Sequence, residues 1–332
     1  MERSLSPEGA GSMRYAVGVD RGASSVRLGL VRSDGTMVKV MKEWDPCRSL
    51  ADLGSMVRRM GEMLARFLAS PEVRGVSLDG IGVVVAGIIN GRGEMVGHVG
   101  AREAPWTPIA VREVVQQTAG AGLPVHVDND SKGAALGEFL YGAGRGTRDM
   151  ACLTIGTGVG GGLVVDGKLV HGAQGLAGLA GIMSVDMHGE RCPSGAMGCL
   201  EHYASGSGIA RAARRALEVG RASGLLEDAQ GDIESVTSEM VFAAARRGDD
   251  LAKETVRNAA YALGIAISTL LHLLNPEVVV LGGGVAEQGE LFLEPVRDAV
   301  AEHTIAHYLV PIKAAELGNL AGVTGAAALC WQ

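Results

Sequence analysis

One pattern occurs twice in this chain and limits the folds open to it. Tyr15–Asp20 and Val26–Arg32 read as strands on either side of the turn Arg21-Gly22-Ala23-Ser24-Ser25. Ser33-Asp34-Gly35 then turns the chain into a third strand, Thr36–Trp44. The same order returns downstream as Met150–Ile155, a glycine-dense turn over Gly156–Gly162, Gly162–Val165, the turn Asp166-Gly167, and Lys168–Val170. A repeat of strand, Gly/Ser turn, strand, Asp-Gly turn and strand predicts two related α/β domains facing one cleft.

The intervening segments supply helices and further strands. Leu53, Val57, Met60, Leu64 and Leu68 put one apolar stripe on a helix over Leu50–Leu68, with Ser49 as its cap. Gly80–Val85 reads as a buried strand, Pro108–Thr118 as a short helix, and Val125–Val127 as a strand. The latter leads through Asp128-Asn129-Asp130 into a small-residue helix to Tyr141. Helices follow over Gly206–Leu217, Ser235–Arg247 and Asp250–Leu274, then the strand Glu277–Leu281, and a final helical stretch over Gly318–Cys330. The stripe Ala252, Val256, Ala259, Leu263, Ile267, Leu270 and Leu274 is explained by packing alone.

Composition removes several functional classes. The 332 residues leave room for two cores, and 47% hydrophobic with 20% charged residues describes a compact protein. A formal charge of −7 with no Lys/Arg cluster argues against a nucleic-acid partner. No apolar run approaches the ~18 residues of a membrane span. Residues 1–13 are expected to be a loose tail lacking the apolar core of a signal peptide. Five cysteines, at 47, 152, 192, 199 and 330, fit a reducing cytoplasm better than a disulfide framework.

Three turns rich in glycine or hydroxyls each follow an apolar strand, at 20–25, 156–162 and 282–284. Successive backbone N–H groups in such turns make anion nests, and glycine lets phosphate oxygens reach the main chain. One such turn is also what a plain hairpin needs; three in one chain point to nucleotide binding. Asp20 ends the first strand, where it could hold Mg²⁺ or serve an Asx turn. Asp130 begins a helix, where it could cap, or accept the proton of an attacking hydroxyl.

Five segments in order carry a resemblance: Val19-Asp20-Arg21-Gly22-Ala23-Ser24; Asn129-Asp130 followed by Leu136-Gly137-Glu138; Ile155 to Gly162; Gly198-Cys199-Leu200-Glu201; and Asn275 to Gly284. Together they resemble the ROK family of repressors and sugar kinases over Tyr15 to Leu329. The resemblance implies an α/β, actin-like (ribonuclease H-like) two-domain fold with a central interdomain cleft. A small domain would span 14–127 with 316–332, and a large one 128–315. It implies Asp130 as the catalytic base, and Asp20, Gly22 and Ser24 at the first phosphate turn. Gly156, Thr157, Gly158, Gly160 and Gly161 would form the second, and Gly282, Gly283 and Gly284 the adenosine-side turn. Asn129, Asp130 and Glu201 would contact the sugar. ATP and Mg²⁺ are the implied cofactors, the partner a sugar-like small molecule, and the assembly a dimer or tetramer in the cytoplasm. Family repressors carry a DNA-binding region before the first phosphate motif, where only about a dozen residues stand here.

The pattern breaks in two places. Family kinases place Glu and His in an Ala-Gly-Glu-x-Gly-His segment, to hold the sugar; Leu179 and Ile182 stand there. Family zinc sites use that His with Cys-x-Cys-x4-Cys, of which Cys192 and Cys199 remain and Ser194 replaces the middle cysteine. Structural zinc wants four N/S ligands; either His188 and His202 complete a substitute set, or the loop is held without metal, and no metal ligand is assigned. The combination points to an ATP-dependent sugar kinase with an altered acceptor such as a deoxy sugar, amino sugar or cyclitol. The rival is a non-catalytic nucleotide- or sugar-binding sensor.

Overall fold

The computed structural model describes residues 13–22, 25–44, 53–97, 107–120, 122–192, 194–305 and 308–332. The first half runs β1 (Tyr15–Arg21), β2 (Ser25–Arg32), β3 (Met37–Trp44), α1 (Leu53–Leu68), α2 (Pro71–Arg74), β4 (Leu78–Val85), β5 (Ile88–Ile89), β6 (Met95–Gly97), α3 (Val111–Ala119), β7 (Val125–Asn129) and α4 (Asp130–Tyr141). The second runs β8 (Met150–Ile155), β9 (Val159–Val165), β10 (Lys168–Leu169), α5 (Leu200–Ala204), α6 (Gly206–Glu218), α7 (Leu225–Asp228), α8 (Ser238–Arg246), α9 (Asp250–Leu274), β11 (Val278–Gly282), α10 (Glu290–His303), β12 (Ile312–Ala314) and α11 (Ala321–Ala328).

The duplicated pattern is a duplicated sheet. Two five-stranded sheets have the same order, β3-β2-β1-β4-β7 and β10-β9-β8-β11-β12. In each, the hairpin-linked strands pair antiparallel and the later strands parallel. Parallel strands covered on both faces need unbroken apolar runs: β11 is buried throughout, whereas edge strand β3 alternates between half-buried and exposed. Asp166 and Gly167 take φ of +54° and +76°, as a two-residue hairpin turn demands.

Each sheet has its own core. Val17, Val19, Ile81 and Val83 join Met60, Leu64 and Phe67 of α1 in one, and Leu153 and Leu281 join Val256, Leu263 and Ile267 of α9 in the other. Two helices tie the sheets together. α11 packs on β1, β4 and α4, and α4 rests in turn on β8 and β9. The approach is backbone to backbone: a Cβ on Gly82 would lie 1.6 Å from the Ala326 carbonyl oxygen, and one on Gly325 would lie 1.7 Å from that of Gly133. Among the described residues, no helix is long and apolar enough to cross a membrane.

Several expectations need correction. The second glycine turn ends at Gly158, and Gly160, Gly161 and Gly162 lie inside β9, paired with Thr154, Leu153 and Cys152. Packing requires glycine there, since a Cβ on Gly160 would meet Ser131 Oγ at 1.9 Å and one on Gly162 would meet Ala135 Cβ at 2.4 Å. α3 starts at Val111 rather than Pro108, because Ile109 is taken up in a β-bridge to Met95. α8 starts at Ser238, capped by Thr237, because Ile233–Ser235 close a separate 3-10 turn. The α10 helix and β12 strand were not anticipated. Ser49 and Ser24 lie outside the described residues.

Candidate active site

The first turn of α4 is fixed by Asn129. Its side-chain oxygen accepts from the N–H groups of Ser131 (3.0 Å) and Lys132 (3.3 Å), and its Nδ2 donates to the Gly87 carbonyl at 3.0 Å. Asn129 is therefore the N-cap, and Asp130, the first helical residue, does not have to serve as one. Asp130 Oδ1 accepts from the Ser131 N–H at 2.9 Å, and Thr154 Oγ1 donates to Ser131 Oγ at 3.1 Å, connecting this turn to β8.

Asp20, the last residue but one of β1, lies within electrostatic reach of Asp130. It is 8% exposed, and its carboxyl is pushed up to about 6, first by burial and next by the negative Asp130 nearby. Arg27 opposes this, with Nη1 3.6 Å from Asp20 Oδ2. A buried Asp20 carboxyl that feels the negative charge of Asp130 fits a divalent cation beside it, whose charge would favour the ionised form of both. Gly22 closes the adjoining turn through its N–H to the Ser25 carbonyl, 3.1 Å.

The second glycine turn is small and braced from below. The Gly156 N–H donates to the Gly158 carbonyl at 2.9 Å, and the Gly206 N–H donates to the Gly156 carbonyl at 2.8 Å. Glu201 Oε2 accepts from the Val159 N–H at 2.9 Å, so close under the turn that a Cβ on Gly158 would lie 2.4 Å from it. The Val285 N–H donates to the Ile155 carbonyl at 3.0 Å, and Gly283, at φ +88°, lies flat on the same carbonyl. These contacts bring Gly156, Thr157, Gly284 and the start of α6 around one cavity of about 800 Å³. Gly282 is the last residue of β11.

Sequence reading missed much of that cavity. Gly206, Ser207, Arg211 and Arg214 line it from α6, with Ser238 and Gln288 opposite. A signal existed: Ser205-Gly206-Ser207-Gly208 has the composition of a capped anion-binding helix start. Ser205 is the cap, its Oγ accepting from the Gly208 N–H at 2.9 Å.

On the other side of α4, the loop after β10 presses against the β5–β6 hairpin. Lys132, only 2% exposed, donates from Nζ to the Gly175 carbonyl at 2.6 Å, and a Cβ on Gly175 would meet the Ile89 carbonyl oxygen at 2.2 Å. His171 Nε2 lies 2.7 Å from Asp128 Oδ2; that hydrogen bond raises the imidazole pKa above its ordinary value. Leu179 and Ile182 follow in this loop and line an apolar cavity with Gly161.

The cysteine segment differs from expectation. Cys192 and Cys199 form a disulfide, where a reduced pair was expected. A β-bridge between Arg191 and Met197 brings their Cα atoms to 6.2 Å, within disulfide reach. Ser194 Oγ lies 2.7 Å from Cys192 Sγ. His188 is exposed, and His202 Nε2 pairs with Glu190 at 3.3 Å. Among the described residues no group of three or more His, Cys, Asp or Glu is placed to hold a metal ion, so the substitute His/Cys set is not assembled.

The ROK family profile matches residues 16–332. The glucokinase of Halalkalibacterium halodurans is 34% identical over 319 residues, spanning 95% of this chain and 94% of its own. A ROK family glucokinase from Streptomyces griseus, solved in complex with glucose and AMPPNP, superposes with a TM-score of 0.78 at 30% identity, covering 95% of this chain and 98% of the other. The ROK hexokinase of Thermus thermophilus gives a TM-score of 0.75 at 28% identity, covering 94% and 96%.

Proposed function

The chain belongs to the ROK family, and from that premise we propose that it transfers the γ-phosphate of ATP to a hydroxyl of a hexose-like sugar, with Asp130 as general base. It is an ATP-dependent sugar kinase with the actin-like, ribonuclease H-like fold. Its two halves, 14–127 with 316–332 and 128–315, would close on substrate and exclude water. Adenosine would lie in the cavity beside Gly284 and α6, with its phosphates toward the N–H groups of Thr157 and Gly158.

Phosphoryl transfer asks the protein mainly for alignment and charge neutralisation. Asp20 would hold Mg²⁺, directly or through water; the ion supplies neutralising charge to the phosphates. Asp130 accepts the proton of the acceptor hydroxyl, steered by its bond to the Ser131 N–H. Glu201 props the phosphate turn through Val159, which supports a positioning role alongside any contact with sugar.

The observation that carries this reading is the division of labour at α4: Asn129 caps the helix, and Asp130 stands beside Asp20. ATP consumption measured across glucose, mannose, N-acetylated hexosamines, deoxy sugars and cyclitols tests it. Asp130→Ala should lower turnover on the order of 10²–10⁴-fold with ATP affinity retained. Tight ATP binding without turnover on any acceptor would favour the non-catalytic sensor, which the aliphatic Leu179 and Ile182 also suit.

A further inference from the structure

Lys132 is a buried charged side chain that the proposed reaction does not use. It is 2% exposed, and its Nζ donates to the Gly175 carbonyl at 2.6 Å. Burial works against the ammonium, and Asp128 nearby supports it. An apolar side chain would fill this space without the cost of taking a charge out of water, so packing alone does not account for a lysine. What the lysine supplies is reach: a long flexible stem ending in a donor lets α4 grip a loop beyond its own surface.

That grip is one of several around Asp130, whose neighbours in the chain each hold a different part of the molecule. Asp128 Oδ2 lies 2.7 Å from His171 Nε2, Asn129 Nδ2 donates to the Gly87 carbonyl at 3.0 Å, and Ser131 Oγ accepts from Thr154 of β8 at 3.1 Å. Lys132 adds Gly175, which belongs to the same loop as His171 and, at φ +78°, packs its backbone on the Ile89 carbonyl. The loop is thus fastened at two points to the turn that carries Asp130, and it presses on the hairpin beside the Gly87 carbonyl that Asn129 holds. Resting on the kinase reading above, we propose that Lys132 is a positioning residue: its bond to Gly175 fixes the first turn of α4, and with it the aim of Asp130 at the acceptor hydroxyl. In this role Lys132 touches neither acceptor nor nucleotide. Displacing a reacting group by about 1 Å slows a reaction roughly 100-fold, so such a tether acts on the chemical step and not on binding.

The test is Lys132→Met, which keeps an unbranched stem and loses the donor. Initial rates are measured with the most active sugar of the panel above, ATP binding by calorimetry, and folding by circular dichroism. Turnover should fall about 100-fold, while both KM values and the ATP affinity stay within about 3-fold of wild type. Gly175→Ala disturbs the same contact from its far side, since a Cβ there would lie 2.2 Å from the Ile89 carbonyl oxygen, and should show the same split. It leaves α4 untouched, so it decides the matter if Lys132→Met does not fold. A folded variant with kcat within about 3-fold of wild type overturns the positioning role. So does a loss of ATP affinity equal to the loss of kcat, or failure of both variants to fold, which would make the contact one of stability alone. Each of these leaves the kinase reading standing. No ATP consumption by the wild-type protein with any sugar overturns both.

Discussion

Glu201 Oε2 accepts a hydrogen bond from the Val159 N–H at 2.9 Å, fastening the start of α5 under the Gly156–Gly158 turn. A residue expected to touch the acceptor thus also supports the second glycine turn, where the donor phosphates are proposed to lie. Removing a charged acceptor from a backbone N–H costs about 1.5–3 kcal/mol. Glu201→Ala should therefore lower kcat/KM for ATP roughly 10- to 100-fold. Steady-state kinetics with both substrates varied will show it; a change confined to the acceptor KM would make Glu201 a sugar contact alone.

Glu138 is 1% exposed and accepts from three backbone N–H groups, those of Ala143 (2.9 Å), Glu316 (3.0 Å) and Leu317 (2.8 Å). It locks the end of α4 to the segment entering α11. Glu138→Ala leaves those buried donors unmet, and urea unfolding should show a loss of about 3 kcal/mol or more. A loss under about 1 kcal/mol would mean that water replaces the carboxylate at no cost.

Asn129→Ala should cost about 1–2 kcal/mol of stability through the lost cap, measured without any sugar present. It should also slow turnover, because the bond to Gly87 aligns Asp130's helix with the β5–β6 hairpin. Asn129→Asp keeps the acceptor and loses that donor, so its stability should return further than its kcat. Equal recovery of both would contradict a positioning role.

The His171–Asp128 hydrogen bond makes part of the stability pH-dependent. The imidazole pKa is raised from 6.5 by the bond to Asp128, against partial burial and the nearby Lys132. A raised folded value means that the contribution is complete below the unfolded value and is lost as pH rises through the folded one. Wild-type protein should lose stability as pH climbs from 6.5 through that higher value, and His171→Gln should flatten this part of the profile. Melting temperatures across the range decide it; an unchanged slope in the variant would assign the dependence to other groups.

Two glycines should separate packing from binding. Gly82→Ala drives a Cβ to 1.6 Å from the Ala326 carbonyl oxygen and should prevent soluble folding. At Gly284 a Cβ meets nothing within 4 Å, so Gly284→Ala should fold normally and weaken ATP binding only where nucleotide contacts the turn. Circular dichroism with ATP titration distinguishes these outcomes.

Much of the fold, with the helix start that carries Asp130, was legible because its signals are local. The two strand–turn–strand repeats, the long α9 helix and the Asn129-Asp130 helix start each need only a short window of residues to be recognised. The misreadings share a cause. Gly160–Gly162 look like loop residues in a string of glycines, yet they lie in β9 because Ser131 and Ala135 of α4 leave no room for side chains. Cys192 and Cys199 looked unpaired until the Arg191–Met197 bridge set their separation.

The chain's order of residues alone determined that two like sheets would form, and that glycine-rich turns would follow their strands. Backbone preferences and apolar periodicity act between neighbours, so they survive in one dimension. Tertiary structure decided what those parts do together. It set Asp130 beside Asp20, passed the capping role to Asn129, put Glu201 beneath the turn of Val159, and gathered Leu179, Ile182 and Ile88 around one apolar space. Those relations join residues far apart in the chain, and only the close packing of α4 and α11 between the sheets brings them within reach.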